Sequence, residues 1–354
     1  MGKIKVLVVD DSLAYRTQIR SALQLDGDIE VGGTAINGQV AIEKMQTENF
    51  DLIILDLEMP VMNGVETLKE MKRLGITSKV LLFSSTTKKS ALSTLEGLNL
   101  GALDFVLKPD GESNQELSPH EKIKEVLVPK ILSFKNEIFN NKLADLKIVN
   151  DFKIDPDNFV IWDLFKPKIL VIGSSTGGPT VLETIFASLK PPFNCPIVIA
   201  QHMPAVFTAT LVEKLGQLCG MVAEEGKDGQ ILEKNRIYIA PGNFHLRLKD
   251  ENGSVKIKID QGDYINFVRP AVDPLFESAA KIFKDKCLGI ILTGMGSDGK
   301  DGAIHVKKNG GAIIIQEEKS CVVFGMPGAV FNAKAYDKIF TPSEIIKTLN
   351  EKLI

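Results

Sequence analysis

Lys168-Ile-Leu-Val-Ile-Gly-Ser-Ser-Thr-Gly-Gly-Pro179 compresses a short apolar run, a glycine-rich turn and the start of an amphipathic stretch into one segment. A strand that passes through a tight turn directly into a helix is the building unit of a parallel sheet flanked by helices. Working outward, further strand-like runs follow at 197–200, 236–240, 255–259, 289–293 and 312–316, with helix-like stretches at 179–189 and 273–284. Upstream lies a polar tract, roughly 137–166, rich in Asn, Asp and Lys and ending at Pro167. Before that tract, five short apolar runs (4–9, 29–33, 52–55, 80–83, 105–107) each precede an amphipathic stretch (12–25, 38–47, 64–74, 88–100, and one within 119–136). The expected architecture is α/β, with two doubly wound α/β domains at 1–135 and 167–354 joined by a linker at 136–166.

A chain of 354 residues exceeds one ordinary core, and 44% hydrophobic with 25% charged residues is a globular composition. The net charge of -3 offers no clustered cations to hold a polyanion, so no nucleic-acid partner is expected. Cys195, Cys219, Cys287 and Cys321 show no Cys-x-x-Cys spacing, which favours reduced structural thiols over a zinc site or a dithiol. The first apolar run is short, lacks a small-residue cleavage site and is followed at once by acids, and no stretch is long enough to span a bilayer. A cytoplasmic protein without membrane insertion is expected.

The turn at 173–178 aims backbone N–H groups outward and suits either a bound phosphate or a developing oxyanion. Gly173 and Gly178 have the spacing of a phosphate loop, but Pro179 stands where that motif needs lysine, and no Gly-x-Gly-x-x-Gly is present. Gly173-x-Ser175-x-Gly177 instead matches a nucleophile elbow, with Ser175 at its tip. Ser175 then needs a base. Of the four histidines, His202 follows the strand at 197–200 and reaches the same sheet edge, whereas His120 lies in an insertion before the last N-terminal helix, His245 in a loop after Pro241-Gly242, and His305 in a helix-like stretch. The strand at 289–293 runs into Gly294-Met-Gly-Ser-Asp298-Gly-Lys-Asp301 and delivers an acid to orient the imidazole, with Asp298 nearer the strand end than Asp301. The same Gly and Asp residues also suit a plain turn.

In the N-terminal half, Asp10 and Asp11 follow the first strand, Asp56 the third and Lys108 the fifth. In an open parallel sheet these ends share one edge. Carboxylates so placed repel one another unless a cation joins them, and hard oxygen donors suit Mg²⁺. With Asp10 and Asp11 on the metal, Asp56 is left as a nucleophile towards a phosphoryl group and Lys108 as its counter-charge.

Residues 1 to about 135 resemble the two-component receiver, a flavodoxin-like fold, through Asp10-Asp11, Asp56-Leu-Glu-Met-Pro60, Ser84, Phe105 and Lys108-Pro109. That resemblance implies transfer of a phosphoryl group from a histidine kinase to Asp56 and Mg²⁺ held by Asp10, Asp11 and Asp56. It further implies phosphate contacts from Ser84 and Lys108, and a switch aromatic at Phe105. Residues 168–350 resemble the Rossmann-like catalytic domain of the chemotaxis methylesterases, the CheB family, through the three segments above together with Gln201-His202-Met-Pro204, Tyr238-Ile-Ala-Pro-Gly242 and Cys321-Val-Val-Phe-Gly-Met-Pro327. The implied activity is hydrolysis of glutamate γ-methyl esters on methyl-accepting chemoreceptors, with deamidation of glutamines in some members. Ser175 is then nucleophile, His202 base and Asp298 its orienting acid, with Met295 and Thr176 as oxyanion and substrate residues and no cofactor for the esterase. The pairing with a receiver implies an unphosphorylated state that restrains catalysis and a phosphorylated one that releases it. Two rival outputs remain in view. A DNA-binding regulator would need a helix-turn-helix or basic face, and neither is visible. An anion-binding adaptor would need only the glycine turn, and His202 and Asp298 weigh against it.

Overall fold

Near-continuous apolar runs form both central sheets, because strands covered by helices on both faces have no polar side to show. The computed structural model describes residues 3–109, 118–139 and 162–354, and the chain divides into two compact units, Met1–Ile148 and Val149–Ile354. Most of the polar tract and the segment before the last N-terminal helix lie outside the described residues.

The first unit alternates β1 (Ile4–Val9), α1 (Leu13–Gln24), β2 (Ile29–Ala35), α2 (Gly38–Thr47), β3 (Leu52–Asp56), α3 (Gly64–Leu74), β4 (Lys79–Ser84), α4 (Lys88–Asn99) and β5 (Asp104–Leu107), then α5 (Pro119–Ser133) and α6 (Lys135–Phe139). Its sheet is parallel, in the order β2-β1-β3-β4-β5. The order reverses between β1 and β3, so the ends of these two strands flank the crevice where ligands bind in such sheets. Local chemistry sets the helix ends. Asn63 and Glu66 make a reciprocal capping box at the start of α3, and Gly75 ends it in the left-handed conformation. Pro119 opens α5, so His120 sits in that helix's first turn and not in an insertion ahead of it.

The second unit contains β6 (Ile169–Ser174), α7 (Gly178–Phe186), β7 (Ile197–Gln201), α8 (Ala205–Cys219), β8 (Val222–Glu225), β9 (Arg236–Ile239), β10 (His245–Glu251), β11 (Ser254–Asp260), α9 (Val272–Phe283), β12 (Cys287–Ile291), α10 (Lys300–Lys308), β13 (Ala312–Gln316), α11 (Met326–Asn332), β14 (Lys338–Phe340) and α12 (Pro342–Lys352). Seven strands form a parallel sheet in the order β14-β13-β12-β6-β7-β9-β8. Here the order reverses at β6, which has β7 on one side and β12 on the other. The core packs Val171, Val198 and Ile291 of these strands against Val272, Leu275 and Phe276 of α9.

The run at 255–259 is part of β11, which pairs with β10 in an antiparallel hairpin outside the main sheet. His245 is correspondingly the first, fully buried residue of β10 and not a loop residue. Its Nδ1 accepts from Ala271 N–H at 3.2 Å and its Nε2 faces Asp263 O at 3.0 Å, which makes it a satisfied structural histidine. The four cysteines are free and buried. Among the described residues no helix is long and apolar enough to cross a membrane.

Candidate active site and phosphoacceptor site

Three adjacent strands, β12, β6 and β7, carry the C-terminal site at their carboxyl ends. β6 ends at Ser174, paired with Gln201, the last residue of β7. Ser175 and His202 are therefore the first residues past two neighbouring strand ends, tied by the His202 N–H to Ser174 O bond at 3.1 Å. Ser175 N–H donates to Thr293 O at 3.1 Å, which joins the turn to the segment leaving β12. Gly177 then takes φ +74°, and a Cβ there would lie 2.5 Å from Val322 Cγ2, so both backbone and space require glycine. Gln201 clamps the turn from β7, donating from Nε2 to Ser175 O at 3.0 Å and accepting from Ser174 Oγ at 2.6 Å. Thr293 clamps it from β12, donating its hydroxyl to Thr176 O at 3.0 Å, and Thr176 itself is buried. A Cβ added at Gly294 would lie 2.8 Å from Ser175 Cβ, which fixes how closely this turn approaches the serine.

His202 Nε2 lies 2.7 Å from Asp298 Oδ2, and both side chains are buried. Asp301, the alternative acid, is exposed and pairs with Lys300. Asp298 is held by the starts of two helices. Val272 N–H donates to its Oδ2 at 2.6 Å, and Asp273 N–H and Gly299 N–H donate to its Oδ1 at 3.2 and 3.0 Å. These are N–H groups that a helix cannot satisfy within itself, and they favour a negative charge. Burial pushes the Asp298 carboxyl up, but the His202 bond and charge and the N–H groups of Val272 and Asp273 together hold it below the usual carboxylate range. With Nε2 engaged, Nδ1 is the ring nitrogen that Asp298 leaves open. Among the described residues the Ser175 hydroxyl has no hydrogen-bond partner, and the Met295 N–H has no acceptor.

Two residues escaped the sequence reading. Asn266 Nδ2 donates to Asp298 Oδ1 at 3.0 Å and to Asp273 Oδ2 at 2.9 Å. Asp273, buried in the first turn of α9, also accepts from Gly302 N–H at 2.6 Å. Burial and then the nearby Asp298 charge push its carboxyl up to about 7. An acid at the start of an amphipathic helix carries no local sign of this role, because Asp298 and Gly302 lie 25 and 29 residues away.

In the N-terminal unit, Lys108 Nζ lies 2.9 Å from Asp10 Oδ2 and 2.8 Å from Asp56 Oδ2, on the edge formed by β1, β3 and β5. Asp10 and Asp56 are buried and Asp11 is exposed. One oxygen from each of the three acids falls within 4.8 Å of the others, a hard-donor set that fits a Mg²⁺ ion completing its shell with water. Burial raises the Asp56 carboxyl to about 6 against the lowering pull of Lys108, and a divalent cation beside it would favour its ionised form. Ser84, the last residue of β4, is buried with its hydroxyl 2.8 Å from Thr94 Oγ1. Phe105 lies half-buried in β5, beside the strand that ends in Ser84.

Comparison with known proteins agrees with this geometry. The sequence profile of CheB methylesterase matches residues 170–349, and that of the response regulator receiver domain matches residues 6–117. Proteins named protein-glutamate methylesterase/protein-glutamine glutaminase are similar along the whole chain. The one from Trichodesmium erythraeum is 38% identical over 100% of both chains, and that from Clostridium acetobutylicum is 40% identical over 98% of each. The crystal structure of the Thermotoga maritima CheB methylesterase catalytic domain is 45% identical, covering 52% of this chain and 98% of its own, with a TM-score of 0.51. A receiver ahead of a serine elbow at the switch point of a seven-stranded parallel sheet, with such similarity over its whole length, places this chain in the CheB family of protein-glutamate methylesterases.

Proposed function

We propose that this methylesterase hydrolyses γ-methyl esters of glutamate on methyl-accepting chemoreceptors, with Ser175 as nucleophile, and that phosphorylation of Asp56 raises its rate. The observation that carries the reading is the buried His202–Asp298 pair at 2.7 Å, set one strand away from the Ser175 elbow. Ser175 Oγ attacks the ester carbonyl while His202 Nδ1 takes its proton, and Asp298 stabilises the imidazolium. The Met295 N–H and the backbone at Thr176 receive the developing oxyanion. His202 returns the proton to the departing methoxide, which leaves as methanol. Water, deprotonated by His202, then attacks the acyl-enzyme and frees the glutamate carboxylate and Ser175. The same steps with ammonia as leaving group deamidate glutamine.

At the N-terminal edge, Asp10, Asp11 and Asp56 would hold Mg²⁺, which when bound neutralises phosphoryl charge. Asp56 accepts the phosphoryl group from a histidine kinase. Lys108 balances the added charge, and the Ser84 hydroxyl turns from Thr94 to the phosphate while Phe105 follows it inward.

The test is methanol release from methylated receptor membranes, comparing wild type with Ser175→Ala, each with and without a small-molecule phosphodonor and Mg²⁺. Release by wild type, stimulation by the donor and loss in Ser175→Ala are expected. Full activity in Ser175→Ala would overturn the assignment of the nucleophile, and a silent wild type would overturn the substrate.

A further inference from the structure

Ile265 and Val268 close a two-residue hairpin turn, exchanging N–H to O bonds of 3.3 and 3.0 Å. Its central residues both take positive φ, +53° at Asn266 and +64° at Phe267. Turns of this kind favour asparagine first and glycine second. Asn266 obeys that rule and Phe267 breaks it. An aromatic side chain in the left-handed region carries a steric cost, and here burial returns nothing, because Phe267 is 98% exposed.

The ring is also not needed to hold its own loop. Asn266 ties the turn to Asp298 and Asp273, as described above. Arg269 donates to the carbonyls of Gln261 and Gly262 at 3.2 and 2.9 Å and lies 4.5 Å above the Tyr264 ring. The loop is therefore built by its neighbours, and it presents Phe267 one residue, about 3.8 Å along the backbone, from a direct ligand of the acid that orients His202. A strained, exposed residue on a preorganised support beside a reaction centre is the arrangement expected of a recognition contact.

We infer that Phe267 recognises the substrate protein, packing against apolar side chains of the receptor that flank the esterified glutamate. The inference rests on the function proposed above. The receptor segment that carries the ester must lie over the elbow in every turnover to bring its side chain to Ser175, so the surface around the triad is covered by that segment. A small ester needs no such surface. Phe267 should therefore govern recognition of the protein substrate and leave the chemistry alone.

The experiment compares full-length wild type, Phe267→Gly and Phe267→Leu in Mg²⁺, each with and without phosphodonor, on methylated receptor membranes and on p-nitrophenyl acetate. For Phe267→Gly we expect KM for receptor to rise about tenfold, the size of an interface anchor. Hydrolysis of p-nitrophenyl acetate should be unchanged and the Tm equal or higher, because glycine relieves the turn. Phe267→Leu, which keeps apolar bulk, should fall between. An unchanged KM for receptor would overturn the inference. So would an equal loss on both substrates, which would mean that the residue only supports Asp298, or a change seen only without phosphodonor, which would mean that it meets the chain's own receiver. Wild type that cleaves p-nitrophenyl acetate but releases no methanol from competent membranes would instead sink the proposed substrate, and the inference with it.

Discussion

Asp298 and Asp273 share one buried pocket and one asparagine ligand, yet their environments drive them apart. Asp298 collects the imidazole and helix-start N–H groups and stays ionised. Asp273, facing that charge, keeps its proton. Below about pH 7 this division leaves a single negative charge behind His202. It has a measurable consequence, because the Asp273 carboxyl holds its proton to about pH 7 in the folded chain and releases it near its ordinary value of 3.8 when unfolded. Folding thus binds a proton between those values, and the stability Asp273 contributes at low pH is lost as pH rises through 7. Asp298, shifted the other way, loses its contribution only as pH falls below about 4. Asp273→Asn removes the first dependence, so its Tm relative to wild type should climb from pH 5 to pH 8. A constant difference over that range would mean that Asp273 is ionised throughout.

At the scale of elements, the C-terminal site is a set of strand ends and helix starts. β6, β7 and β12 supply the serine, the histidine and the segment leading to the aspartate, while α9 and α10 supply the N–H groups that fix the acid. The passage from β6 into α7 turns on Gly177. Gly177→Ala is expected to cost about 1–2 kcal/mol from the left-handed backbone alone, with more from the Val322 contact, and to displace Ser175 from Thr293. Thermal unfolding together with hydrolysis of a small ester checks this. A variant with wild-type Tm and wild-type rate would mean that the elbow does not depend on this turn. Among the elements missed in sequence, which include α8, β10 and α12, two carry little apolar signal. β8 reads Val-Ala-Glu-Glu on a sheet edge and β14 is three residues long, and edge strands carry charge and little burial because they have a partner on one side only.

Over the whole molecule, the two units repeat one solution. Each places reactive side chains at the carboxyl ends of parallel strands where the strand order reverses, β1 and β3 in the first and β6 with its neighbours in the second. Their chemistries differ in what they require. In the function proposed above, the acids of the first hold a divalent ion, whereas the triad of the second works by proton transfer and backbone N–H groups. Chelation with EDTA is therefore expected to abolish stimulation by phosphodonor while leaving the unstimulated hydrolysis of a small ester intact. Loss of the unstimulated rate would mean that the esterase itself depends on a metal.

The sequence alone determined the α/β class of both units, the strand-end positions of Asp10, Asp11, Asp56 and Lys108, and the strand, turn and helix around Ser175. These are legible because period, turn residues and strand-end placement are local properties of a chain. His202 and Asp298 were readable as candidates for the same reason. Only the tertiary structure decided that Asp298 and not Asp301 meets the imidazole, that His245 is a buried structural residue, and that Asp273, Asn266 and Phe267 belong to the same neighbourhood. Such pairings depend on sheet order and on which helix start faces which loop. The bonds that bring Asp273, Asn266 and His202 to Asp298 join residues 25 to 96 positions apart, over which no sequence period reaches.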